Sequence, residues 1–192
     1  MHLTIGVTGH RDLVAEEIPA LKEKVRDFFR QLETDYPGLG LQLITPLAEG
    51  SDRLVADVAR ERGIGLIVPL PMPQAEYERD FSSVAAVDAF RESLAGARVI
   101  KLRTLPETEG LPVTEDDRDR QYAQLGIFIS NHSQVLLALW DGKQNSATGG
   151  TSSVVKRGSH NTRLGITTRL LSAANTPTLL RTCSTCACIL AS

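Results

Sequence analysis

Five short apolar runs punctuate the first 140 residues, and a polar stretch with helical patterning separates each from the next. The runs are LTIGVT (3–8), LQLITPL (41–47), GLIVPLP (65–71), RVIKL (98–102) and QVLLALW (134–140). The third is almost wholly apolar, as expected of a strand covered on both faces. Between the first two, residues 16–36 set Ile18, Leu21, Val25, Phe28, Phe29 and Leu32 at the spacing of one helical face. Pro37-Gly38 stops that helix. SDRLVADVARERG (51–63) reads as a helix with Ser51 as N-cap and Gly63 as its stop. Residues 73–97 hold one or two helices, and 116–133 a helix whose acidic start suits the macrodipole. GGTSSVVKR (149–157) is expected to open a further helix. Strands alternating with helices in this way predict an α/β fold: a doubly wound, mainly parallel sheet of five or more strands with helices on both faces. Such sheets bind ligands outside the carboxyl ends of their strands, so function is sought in the loops that follow them.

Length and charge narrow the classes further. The 192 residues suit one domain with a substantial core. No run of about 18 apolar residues is present, so no membrane span is expected. The start MHLTIGVTGHRD lacks a basic flank and a cleavage site, which makes a cytoplasmic location the default. The net charge of −2 conceals an asymmetry. Residues 1–141 carry 15 bases against 23 acids, a balance of −8, whereas residues 142–192 carry six bases and no acid. An acidic body is a poor non-specific partner for nucleic acid, whose binding depends on cations replacing counterions.

The domain is expected over residues 1–157. Residues 158–192 form an atypical segment rich in Ser, Thr, Leu, Ala and Arg. A sixth strand and closing helix belong there by topology, but the text supports them poorly. A disordered tail and an aberrant, non-native end both remain open, and no function is assigned to it. Cys183, Cys186 and Cys188 lie within it and read as reduced thiols, too few for a metal site by themselves. No metal and no cofactor is expected.

Four loops are candidates for a binding site. In the first, Thr8, Gly9, His10 and Arg11 follow the first strand; backbone N–H groups and the Arg11 guanidinium could hold a phosphate, with His10 beside it. A tight turn with solvated side chains is the plain alternative. In the second, Glu49, Gly50, Ser51 and Asp52 stand at a helix start, where they either contact ribose hydroxyls or cap the helix. In the third, Met72 lines an apolar pocket for a base, while Glu76 and Tyr77 read equally as helix surface. In the fourth, Asp141 ends a strand, and Gly149, Gly150 and Thr151 present consecutive N–H groups and a hydroxyl. This fourth loop is neither a Walker loop nor a GxGxxG fingerprint.

The combination of IGVTGHRD, LAEGSDRLVADVA, LIVPLPMPQAEYERDF, QYAQLGIFISNHSQVLLALWDG and GGTSSVV resembles the SLOG superfamily over residues 3–157. That group unites LOG phosphoribohydrolases, DNA-processing protein A and nucleotide-sensor domains on a Rossmann-like sheet. The likeness is nearest to a bacterial sensor-type branch. It implies a nucleotide or nucleotide-derived ligand at Gly9, Gly50 and Gly149–Thr151, and it leaves room for a homodimer or a fused effector domain. LOG enzymes carry PGGxGTxxE, whose Glu is linked to N-glycosidic cleavage. Here Thr148 stands for the Pro and Val154 for the Glu. Valine can neither transfer a proton nor stabilise a developing positive charge. The leading expectation is therefore a nucleotide-binding sensor domain. The first alternative is a nucleotide- or NAD-processing hydrolase using Glu49, Asp52 or Asp141. The second is a nucleic-acid-binding module like DNA-processing protein A, which the acidic body disfavours.

Overall fold

The computed structural model describes residues 1–103, 114–139 and 186–189. Six strands form one sheet: β1 (His2–Gly9), β2 (Gly40–Ile44), β3 (Gly65–Leu70), β4 (Arg98–Lys101), β5 (Val135–Leu139) and β6 (Cys186–Ile189). Their spatial order is β4-β3-β2-β1-β5-β6, and all five pairings are parallel. The expected doubly wound α/β, Rossmann-like architecture is thus observed.

Helices α1 (Ile18–Asp35), α2 (Ser51–Glu61), α3 (Gln74–Tyr77), α4 (Val84–Leu94) and α5 (Glu115–His132) connect the strands. The apolar stripe of α1 buries Leu21, Val25, Phe28, Phe29 and Leu32, as its spacing predicts. Together with α2 it covers one face of the sheet, against Leu3, Ile5 and Val7 of β1 and Leu66, Val68 and Leu70 of β3. Full burial of each such side chain contributes roughly 1.5–3 kcal/mol. The opposite face is smaller. There Leu125 and Ile129 of α5 pack on Ile44, Ile67, Leu136 and Ala138. Alternate residues of β5 therefore serve two cores, which explains why the whole strand is apolar.

Local details depart from the sequence reading. The helix-patterned stretch 73–97 divides into α3, a 3-10 turn at Glu78–Asp80, and α4, whose N-cap Ser83 accepts from Ala86 N–H. Ser51 does not cap α2: Gly50 occupies the N-cap position, and Ser51 opens the helix. The start of α5 carries a reciprocal capping box, in which Thr114 and Asp117 each bond the other's backbone N–H. A sixth strand forms at Cys186–Ile189, beside β5. Cys183 and the helix expected at 149–157 lie outside the described residues.

After β1 the chain builds outward through β2, β3 and β4, then crosses back to place β5 on the other side of β1. The order reverses between β1 and β5. The crevice outside the carboxyl ends of those two strands is where sheets of this kind take ligands.

Candidate functional site

At the end of β1 the backbone of His10 joins three elements. Its N–H donates to the Leu139 carbonyl of β5 at 3.2 Å. Its carbonyl accepts from both Ser51 N–H at 3.0 Å and Ser51 Oγ at 2.9 Å. The two glycines of these loops make this junction possible. A Cβ on Gly9 would stand 2.4 Å from the Ser51 side chain and 2.7 Å from the Leu139 carbonyl oxygen. Gly50 has φ +81°, and a Cβ there would stand 2.0 Å from the Arg11 carbonyl oxygen. Here glycine is required twice over, by its backbone conformation and by the space. In this structure Gly9 and Gly50 admit the neighbouring loop, where the sequence suggested close approach to a ligand.

The β2–α2 loop is held from within. Buried Thr45 accepts from Leu47 N–H through Oγ1 at 3.2 Å, and Leu47, also buried, has φ +60°. The Leu47 carbonyl accepts from Arg53 Nε at 3.2 Å, and the Pro46 carbonyl from the Tyr77 hydroxyl at 3.2 Å. The Ala48 N–H bonds to Asp52. Amides at Leu47, Ala48 and Ser51 are thus already engaged by the protein. The loop is a scaffold, and the groups it presents are side chains.

Three carboxylates were candidates. Glu49 is clasped by Ser82, whose N–H and hydroxyl donate at 3.0 and 2.5 Å. Partial burial alone would raise its pKa, but the two Ser82 bonds, with Arg53 and Arg11 nearby, lower it overall. Asp52 is only 7% exposed. Burial pushes its carboxyl up to about 7, against the opposing pull of the Ala48 N–H and Arg11. Asp141 lies outside the described residues, as do Gly149, Gly150 and Thr151.

Arg11 is exposed at the crevice, with its guanidinium 5.8 Å from the centre of the Tyr122 ring. Partial desolvation opposes its charge, but Tyr122, Tyr77 and Asp80 outweigh this and raise its pKa. Tyr122 in turn donates through its hydroxyl to Asp80, which also accepts from Arg118 at 2.5 Å. Arg118 donates as well to the Glu76 carbonyl at 2.9 Å. The Tyr122 pKa is pushed up to about 12, by burial first and then by Asp80. An ordered chain Arg11–Tyr122–Asp80–Arg118 therefore links the β1 loop, α5 and the 3-10 turn.

Thr8 lies in β1, in register with Ala138 of β5. Met72 and Tyr77 are buried in the main core, 3% and 0% exposed, and Tyr77 packs edge-on against Phe81 and Phe90. Tyr77 is thus not helix surface, and Met72 lines core. Arg53 covers the outer side of Phe81, 4.7 Å from the ring centre. Sequence reasoning missed Tyr122, Asp80 and Arg118. The four-residue spacing of Arg118 and Tyr122 does put them on one face of α5, but their shared acceptor on a distant turn leaves no mark in the sequence. No group of three or more His, Cys, Asp or Glu able to hold a metal is found among the described residues. No helix among them is long and apolar enough to cross a membrane.

No protein-family model matches the chain, and no curated protein matches it. Solved structures do. DNA processing protein A (DprA) from Streptococcus pneumoniae aligns with a TM-score of 0.54 at 14% identity, over 82% of this chain and 48% of that one. DNA processing protein A from Helicobacter pylori, described for its single-stranded DNA binding mode, aligns at 0.48 and 13% identity, over 82% and 59%. A protein designated TM1055 aligns at 0.45 and 14% identity, over 91% and 75%. The chain spans about half the length of the two DprA proteins. At 14% identity the likeness to the first of these shows the fold alone, a Rossmann-like α/β sheet.

Proposed function

We propose that this protein binds a nucleotide or nucleotide-derived ligand at the carboxyl ends of β1 and β5 and acts as a sensor domain. The observation that carries this reading is Arg11. It stands at the reversal of strand order, on a loop fixed to both β5 and α2, with Tyr122 ordering its guanidinium. A positioned guanidinium recognises phosphate through paired, charge-assisted bonds. Gly149, Gly150 and Thr151, which the sequence reading assigns to the same ligand, lie outside the described residues.

Binding without cleavage is favoured by the state of the carboxylates. Glu49 is held by Ser82, and Asp52 is enclosed. A hydrolase remains the second reading because one observation favours it: a carboxyl with a pKa near 7 is matched to proton transfer at neutral pH. The nucleic-acid reading draws on the fold shared with DprA, and the −8 balance of residues 1–141 opposes it.

Thermal-shift and calorimetric titration with AMP, ADP, NAD and ADP-ribose, each mixture then analysed by mass spectrometry, tests the proposal. Stabilisation with intact ligand is expected, and Arg11→Gln should weaken binding by roughly 10- to 100-fold, the range of a charged hydrogen bond. Consumption of the ligand would establish the hydrolase instead. Tight binding of a single-stranded oligonucleotide with no response to any nucleotide would favour the DNA-binding reading.

A further inference from the structure

We infer that Asp80 and Arg118 are positioning residues for the charged part of the ligand: through the Tyr122 hydroxyl they hold the ring that faces the Arg11 guanidinium, and so set how tightly the crevice takes phosphate. The inference rests on the nucleotide-binding reading above and assigns to it two residues that act through another side chain.

The β1 loop fixes Arg11 at its backbone. His10 beside it is bonded to Leu139 and Ser51, and the Arg11 carbonyl abuts Gly50. The side chain beyond is long, and an Arg left to itself samples many rotamers. What the structure sets against its guanidinium is the Tyr122 ring, with the ring centre 5.8 Å away. That is the range of a cation–π contact. The orientation of Arg11 therefore depends on how firmly Tyr122 is held.

Tyr122 is held at both ends. Its ring packs against both apolar cores, with the Tyr77 ring 6.3 Å away centre to centre. Its hydroxyl donates to Asp80 Oδ2. The other carboxylate oxygen, Oδ1, accepts from Arg118 Nη2 at 2.5 Å. The same nitrogen donates to the Glu76 carbonyl at 2.9 Å, and Nη1 lies 3.6 Å from the Glu76 carboxylate. Arg118 and Tyr122 stand about one turn apart on α5. Asp80 thus grips two side chains of one helical face, one with each oxygen, and Arg118 ties the carboxylate back to α3. The Arg118 and Asp80 side chains are only 17% and 21% exposed. Such a pair is screened much less than one in open solvent.

Two consequences bear on phosphate. A phenol that donates to a carboxylate is polarised by it, and a more negative ring face attracts a guanidinium more strongly. Arg118 offsets the charge of Asp80, so the carboxylate orders the ring without setting an unpaired negative charge against an incoming anion. With Arg11 oriented in advance, its ordering is not left to the moment of binding. Immobilising one such side chain on binding lowers affinity by roughly 2- to 10-fold, and that factor is the contribution of the Asp80–Arg118 pair.

The test is calorimetric titration of the full chain with ADP-ribose in wild type, Tyr122→Phe, Asp80→Ala and Arg118→Met, each with Arg or Gln at position 11. Every single variant is expected to bind roughly 2- to 10-fold more weakly than wild type, and none to lose more once Arg11 is Gln. A merely structural role would lower affinity equally in both backgrounds, and that result overturns the inference. So does wild-type affinity in Asp80→Ala and Arg118→Met. If those two do not fold, Tyr122→Phe decides, because it removes only the oxygen that joins the ring to Asp80. A ligand-free measurement separates the two readings: 15N relaxation at Arg11 Nε should show greater mobility in Tyr122→Phe than in wild type. Unchanged relaxation overturns the positioning. Greater mobility, with no binding of ADP-ribose, AMP, ADP or NAD by wild type, overturns the nucleotide reading and the phosphate role with it, while the ordering of Arg11 stands.

Discussion

Replacing Asp52 by Asn should change the pH dependence of folding stability more than any other single substitution in the site. In the folded chain the carboxyl titrates at about 7, against an ordinary 3.8. The native state therefore holds this proton over a pH range where the unfolded chain has released it. Stability falls as pH rises wherever the native state binds more protons. The loss begins near the ordinary Asp pKa and is complete once pH exceeds the folded value. A difference of about three units corresponds to about 4 kcal/mol, at roughly 1.4 kcal/mol per unit. Asn keeps the shape and an acceptor for the Ala48 N–H but has no proton to lose. Asp52→Asn should thus match wild type near pH 4 and exceed it by several kcal/mol at pH 8. Urea unfolding at intervals from pH 4 to 8, with the wild-type curve subtracted, isolates this group because every other titration cancels. Parallel stability curves for the two proteins would refute the reasoning, and a wild type that gained stability relative to Asn with rising pH would reverse its sign.

Other substitutions probe the junction. Gly50→Ala should destabilise the protein by about 3 kcal/mol in urea unfolding, since a side chain must adopt φ +81° and meet the Arg11 carbonyl. Glu49→Gln should cost about 1 kcal/mol or less at pH 7, because the carboxylate is partly exposed and its bonds are screened. Its folded pKa is lowered, so that stabilisation is present above the ordinary Glu range and vanishes as pH falls through the folded value; thermal melts of the two proteins should converge near pH 3.

Much of the architecture was legible in the sequence for a physical reason. The period of the apolar residues is set by local geometry, about 3.6 along a helix and 2 along a strand. Ile18 to Leu32 therefore announced the buried face of α1, and the unbroken apolar run at 65–71 announced a strand covered on both sides. Turn chemistry was equally local, as at Pro37-Gly38. Even the loops of interest were identifiable, because they must follow the strands. The division of 73–97 was less legible. There a 3-10 turn at Glu78–Asp80 divides the helical pattern, and Tyr77, just before it, packs against Phe81 and Phe90.

The sequence by itself determined an alternating α/β chain, the loops that gather at one end of its sheet, and the residues those loops contain. What each residue does there was decided by the tertiary structure. Gly9 and Gly50 face other backbone. Ser51 ties two loops, Tyr77 is core, Glu49 is clasped, and Tyr122 supports Arg11 from a helix more than 100 positions away. A motif states which chemical groups a loop can offer. Whether a carboxyl is hydrated or enclosed, and which cation shares its space, depends on elements distant in the chain that only folding brings together. Asp52 shows the difference: in the sequence a helix-start carboxylate suited equally to ribose contact, capping or catalysis, and in the fold a buried acid poised near neutrality.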